Sequence, residues 1–133
     1  MIVADTNLIA YFLIQGGFTP EARAVYQKDP EWIAPPLWRS EFRNVLILSF
    51  RQQLLSLEDI LRLMDRAERL MGEHGYQMDS SRILRLASDS GCSAYDCEFV
   101  ALAQDLGVPL VTSDRALIEK FNPAAVSMKT FCT

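Results

Sequence analysis

Apolar residues recur along the chain in two rhythms. Short unbroken runs stand at Ile2-Val3-Ala4, Trp32-Ile33-Ala34 and Val108-Pro109-Leu110-Val111. Between them, hydrophobic positions return every three or four residues, the period of a helix with one buried stripe. The pattern predicts strands over Ile2–Asp5, Trp32–Ala34, Tyr76–Met78, Val108–Thr112 and Val126–Met128. It predicts a first helix through Ile14, ended by Gly16-Gly17, and a second in which Thr19 is the cap and Pro20 the first helical residue. Further helices are expected from Leu37 to about Gln52, from Leu57 (capped by Ser56) to about Gly72, from near Ser80, from Ala94 to Leu106, and from Asp114 to Lys120.

Strands separated by helices indicate an α/β chain with a parallel sheet covered on both faces. The near-continuous apolarity of the first and fourth strands fits burial on both sides. In such sheets ligands bind at the carboxyl ends of the strands. Asp5 and Asp114 both lie just beyond a strand, at that edge.

The remaining residues narrow the chemistry. With 133 residues and no repeat or linker-like stretch, positions 1–133 read as a single domain. A hydrophobic share of 50% with 23% charged residues is globular rather than disordered composition. The longest apolar run, Leu8–Ile14, is far short of the roughly 20 residues of a membrane span. The N-terminus has no basic region, so no signal peptide is expected. Cys92, Cys97 and Cys132 are odd in number and lack a C-x-x-C spacing, which reads as reduced thiols in a cytoplasmic protein. A lone His74 leaves little from which to build a histidine zinc site or triad. The net charge of −4 opposes binding of nucleic acid by a general positive field, so any such binding needs a local patch or a bound cation.

Two further acids sit on unexpected faces. At about 100° per residue, Leu37, Leu48, Val45, Trp38, Phe42 and Leu46 share one arc of their helix, and Glu41 falls inside it. On the helix Ala94–Leu106, Asp96 falls in the arc of Leu102, Tyr95, Leu106, Phe99, Ala103 and Val100, whereas Glu98 and Asp105 lie on the polar side. A core-facing carboxylate is costly unless paired or metal-bound. Two such acids and two at strand ends suggest one site of four carboxylates, whose repulsion a divalent cation would remove. Oxygen-only ligands suit Mg²⁺ or Mn²⁺. Each acid also has a plainer reading. Asp5 and Asp114 suit helix caps, Asp96 closes a passable capping box with Ser93, and Glu41 suits a buried ion pair.

The chain resembles a PIN domain, and within that family the toxin of a VapBC-type toxin–antitoxin pair. The matching pieces are Asp5-Thr6-Asn7 after the first strand, Ser40-Glu41-Phe42-Arg43-Asn44-Val45-Leu46, Tyr95-Asp96 followed by Ala101-Leu102-Ala103, and Thr112-Ser113-Asp114. No acidic position departs from the family pattern. The resemblance implies a three-layer α/β/α fold around a mostly parallel sheet of about four to five strands. It implies a metal-dependent ribonuclease in which Asp5, Glu41, Asp96 and Asp114 hold one or two Mg²⁺ or Mn²⁺ ions. Thr6, Asn7 and Thr112 would support them with hydroxyls and an amide, and Arg39, Arg43 and Arg115 are candidates for RNA contact. It further implies a homodimer and a cognate antitoxin, and Ile47 and Phe50 beside Arg43 are surplus apolar positions suited to a partner. Three competing readings remain. A PIN-like module that only docks a partner would need no intact acids. A phosphatase of the haloacid dehalogenase type would need an aspartate where Asn7 stands. A receiver-like domain would need a better placed lysine than Lys120 or Lys129.

Overall fold

The chain forms a four-stranded sheet with the strand order β2-β1-β3-β4, every neighbouring pair parallel. Its strands are β1 (Ile2–Ala4), β2 (Trp32–Ile33), β3 (Leu110–Val111) and β4 (Ala125–Val126). The computed structural model describes residues 1–133. All three residues of β1 are buried, as a central strand covered on both faces requires. Eight helices complete the fold: α1 (Thr6–Leu13), α2 (Thr19–Lys28), α3 (Leu37–Arg51), α4 (Leu57–Met71), α5 (Ser80–Ser90), α6 (Ala94–Leu106), α7 (Arg115–Lys120) and α8 (Met128–Cys132). The crossover from β1 to β2 and the longer one from β2 back past β1 to β3 run in opposite directions. Right-handed connections therefore place their helices on opposite faces. In keeping with this, α1 packs on α2 and α3, while α5 pairs with α6 and α6 lies against β1 and β3.

Local chemistry fixes most boundaries. Ser56 and Asp59 form a reciprocal capping box at the start of α4, and Gly72 ends it at φ 64°. Ser93 accepts a hydrogen bond from Asp96 N–H at the start of α6, and Gly107 ends that helix in the left-handed region. Thr19 departs from the expected cap role: it is the first residue of α2 and Pro20 the second, with Phe18 at the cap. Its buried hydroxyl turns back instead, donating to the Tyr11 carbonyl at 2.7 Å and accepting from Gly16 N–H at 3.0 Å.

Two expected strands are corrected. Tyr76–Met78 is extended, with Tyr76 and Met78 packed on the core and Gln77 exposed, but its backbone joins no sheet. The alternation was real and the ladder partner was missing. At the C-terminus β4 stops at Val126, because the Ser127 hydroxyl accepts from Thr130 N–H and starts α8 one residue later. The helical arc of α3 is also narrower than its sequence suggests. Trp38, Phe42 and Leu46 are buried four residues apart, whereas Leu48 is 46% exposed.

The orientation of α3 decides where Glu41 points, and stability measurements test it. In urea unfolding, Phe42→Ala, at a fully buried side chain, lowers stability by about 3–5 kcal/mol. Leu48→Ala costs about 0.5 kcal/mol or less. The reverse ranking would mean that α3 is rotated and Glu41 faces away from the sheet edge.

Candidate functional site

Between β1 and β3 the chain direction of travel across the sheet reverses, which opens a crevice at the carboxyl ends of these two strands. Asp5 follows β1 and Thr112 follows β3. The Thr112 hydroxyl spans the crevice and donates to Asp5 Oδ2 at 2.6 Å. The other Asp5 oxygen, Oδ1, accepts from Thr6 N–H at 2.7 Å and caps α1. The Thr6 hydroxyl then donates to Glu41 Oε1 at 2.8 Å, reaching α3. On the far side, Thr112 Oγ1 accepts from Asp114 N–H at 3.0 Å. One continuous hydrogen-bonded chain thus runs from Glu41 through Thr6, Asp5 and Thr112 to Asp114. Both threonines are buried.

The plainer readings of these acids hold locally and leave their carboxylates only partly used. Asp5 is a cap, with a second oxygen turned to Thr112. Asp114 caps α7 through Oδ1 alone, accepting from Ala116 and Leu117 N–H. Ser93 receives Asp96 N–H at 3.0 Å, but the Asp96 carboxylate makes no return bond to Ser93 N–H, so the capping box is half made. Glu41 forms no ion pair; its partner is the Thr6 hydroxyl.

Burial, the largest influence, pushes the Asp5 carboxyl up from 3.8 to about 6. Thr112 and Thr6 pull it down, while Glu41 and Asp96 push it further up. Burial also raises Asp96; Ser93 opposes the rise and Asp114 adds to it. These mutual influences bring Asp96, which no hydrogen bond ties to the chain, into the same cluster. A fifth acid belongs beside it. Glu98 lies half-buried and is raised first by burial and then by Glu41. Its helical wheel puts it on the polar face, and no periodicity could flag it, because the neighbour that matters comes from another helix. No three His, Cys, Asp or Glu side chains stand close enough together to hold one metal ion.

The other candidates scatter. Asn7 is exposed at the start of α1. Arg39 turns toward the end of α4, near the Glu68 carboxylate and the Gly72 carbonyl, and stacks on Trp38. Arg43 and Arg115 are exposed, the latter directly after Asp114. No histidine or accessible thiol serves the cluster. His74 lies beyond α4, beside the Met71 carbonyl and against Tyr76. Cys97 is fully buried, and none of the three cysteines is in a disulfide.

The raised Asp5 carboxyl has a consequence for pH. Because the fold binds this proton more tightly than the unfolded chain, the associated stability is fully present below pH 3.8 and is lost as pH rises through about 6. Titrating unfolding free energy in EDTA, wild type minus Asp5→Asn, should show a fall of up to about 3 kcal/mol across that window. A flat difference would mean that Asp5 is ionised freely in the folded protein.

The fold has counterparts among known proteins. The sequence is 28% identical to Ribonuclease VapC3 of Pyrobaculum aerophilum over 129 residues, spanning 95% of this chain and 98% of that one. The structure superposes on the crystal structure of PAE2754, also from Pyrobaculum aerophilum, with a TM-score of 0.79 at 18% identity, covering 98% of this chain and 92% of the other. The PIN domain family model matches residues 2–121, from the first residue of β1 past all four acids to the end of α7, and on that match the chain belongs to the PIN domain family.

Proposed function

We propose that the protein is a divalent-metal-dependent ribonuclease and the toxin of a VapBC-type pair. The observation that carries this reading is the hydrogen-bonded chain from Glu41 to Asp114 at the β1–β3 crevice, with Asp96 electrostatically coupled to it. The similarity to a relative named a ribonuclease supports the reaction class.

The donor chemistry fits a hard cation: the available groups are carboxylate oxygens and hydroxyls, with no soft ligand exposed among them. Asp5, Glu41, Asp96 and Asp114 would hold one or two Mg²⁺ or Mn²⁺ ions. No three of these acids converge, so holding one ion together would require their side chains to move toward one another. Burial and like charge hold Asp5 toward its protonated form, and a dication offsets both. When bound, such an ion supplies a water of lowered pKa and neutralises charge on the scissile phosphate. The protein's own groups do the positioning. Thr112 and Thr6 fix both oxygens of Asp5, and Thr6 also fixes Glu41. Without a thiol or imidazole in reach, water is the fitting nucleophile.

The VapBC resemblance extends to a second copy of the chain and a cognate antitoxin as partners. A cavity of about 450 Å³ between α3 and α4 is lined by Leu46, Ile47, Ile60, Leu61 and Met64, with Arg43 among its polar residues. It is lined in part by α3, the helix that also carries Glu41, and would seat an antitoxin segment. Leu61→Asp should release the antitoxin in a pull-down and leave RNA cleavage intact. Retained binding would place the contact elsewhere.

Cleavage of an RNA panel that includes transfer RNAs, by purified protein with Mn²⁺ or Mg²⁺, tests the activity. The expected result is cleavage that stops in EDTA. Asp96→Asn should lose more than the about 10–100-fold typical of a supporting group, and Thr6→Val should lose about that amount. Cleavage by Asp96→Asn at the wild-type rate would remove Asp96 from the site. Failure of the wild type both to bind Mn²⁺ and to cut any RNA would favour a docking module.

A further inference from the structure

Near the Thr112–Asp114 segment stands an aromatic pair in which Tyr11 packs on the core and Phe18 is left to solvent. Tyr11, on the second turn of α1, has its ring centroid 4.9 Å from that of Phe18 at an interplanar angle of 41°. Its hydroxyl lies 3.4 Å from the Ser113 hydroxyl, within the Thr112-Ser113-Asp114 turn. The pair therefore adjoins the segment that carries Asp114. Phe18 is 51% exposed, although the loop that carries it is tightly held. Thr19 fixes that loop at both ends, donating to the Tyr11 and Ile14 carbonyls and accepting from Gly16 N–H. Thr19 N–H donates in turn to the Gly16 carbonyl.

A large apolar ring presented to solvent by a rigid turn loses little conformational entropy when something lies on it. The surroundings leave room for a flat group. A cavity of about 270 Å³ is lined by Tyr11, Gln15, Gly16, Gly17 and Phe18. Gly16 and Gly17 carry no side chain to cover the ring, and the space where a Gly17 Cβ would sit has no neighbour within 4 Å. One cation is near. Arg23, on α2, donates to the Gln15 side chain at 3.4 Å and forms no ion pair. An exposed aromatic with a guanidinium nearby matches the stacking part of single-stranded nucleic-acid platforms.

Resting on the ribonuclease reading, we infer that Phe18, backed by Tyr11, is a positioning residue that stacks one unpaired base of the RNA beside the scissile phosphate. A duplex cannot offer a base to this ring without unstacking it. Because every base has a π-face, the platform selects for strandedness and position more than for sequence.

The test uses short single-stranded RNAs, each with one fluorescent purine whose emission stacking quenches, and the same sequences annealed to their complements. They are bound to Asp96→Asn protein with Phe18 intact or replaced, and the unlabelled RNAs are cleaved by the corresponding proteins with native Asp96. With Phe18 intact, quenching should be confined to one position beside the cut, and duplexes should bind more weakly. Phe18→Leu, which keeps an apolar side chain for Tyr11 to pack on, should abolish the quenching and raise KM roughly 5- to 100-fold at little cost in kcat. Phe18→Trp should restore both. Thermal melting of each variant separates lost folding from lost stacking, and the tryptophan variant answers the same question should leucine destabilise the loop. Cleavage with unchanged KM and quenching in Phe18→Leu would overturn the platform while leaving the ribonuclease in place, as would cutting restricted to duplexes. Absence of both binding and cleavage by the wild type would overturn the two together.

Discussion

The hydrogen bond from Thr112 to Asp5 closes the crevice between the two central strands, and the site depends on it. A carboxylate at the end of a buried strand loses hydration and must find compensation from fixed dipoles. Asp5 obtains this from the Thr112 hydroxyl on one oxygen and the first N–H of α1 on the other. The same two threonines then constrain its neighbours: Thr6 reaches Glu41, and Thr112 receives the backbone of Asp114. Acids from three separated chain segments are thereby indexed to one central group. Helix N-termini help the cluster persist, since Asp5 caps α1 and Asp96 lies in the first turn of α6, both at the positive ends of helix dipoles. The compensation is incomplete, which is why the Asp5 carboxyl stays near 6.

That incompleteness separates a structural acid from a functional one. Asp59 has its charge satisfied by Ser56 and sits below the ordinary carboxylate range. Asp29 is likewise lowered by the chain's N-terminus and Glu31 N–H. Both stabilise local structure and face outward. Asp5, Asp96 and Glu98 move the other way, so the fold gives up stability to keep them where they are. Carboxyls raised by burial and by one another are a feature that functional sites share.

How much of this was legible in the sequence varied with the physics involved. The bounds of α6, from Ala94 to Leu106, follow from a Ser cap, a Gly stop and the apolar period between them, all local. The α/β alternation and the family motifs also gave the fold class, which the four-stranded parallel sheet and eight helices match. Non-local facts were not visible. Tyr76 and Met78 alternate like a strand, but whether an edge is free to accept them is decided elsewhere in the chain. Leu48 and Tyr95 count as apolar on a wheel, yet they end 46% and 64% exposed. The wheel reports a face and not what covers it. Glu98 was assigned to the polar side for the same reason. Thr19 had a cap-like position, and only its burial revealed a hydroxyl tied to the preceding helix.

A net charge of −4 poses a difficulty for any protein that acts on a polyanion. Several of its cations are committed within the fold: Arg82 to Asp105, Arg69 to Asp65 and Arg39 toward Glu68. A broad electrostatic footprint is therefore absent, and on the proposed reading the carboxylates would repel phosphate unless a dication inverted their sign. Under these conditions long-range attraction contributes little, and short-range contacts have to position the substrate. Base stacking is the suitable form of contact, because it requires no positive charge and is less weakened by salt than phosphate pairing. On the proposed reading, the same carboxylates would oppose nucleic acid when metal-free and admit it when metal is present. The turn at Gly16–Thr19 would then supply affinity without adding charge that would bind RNA indiscriminately.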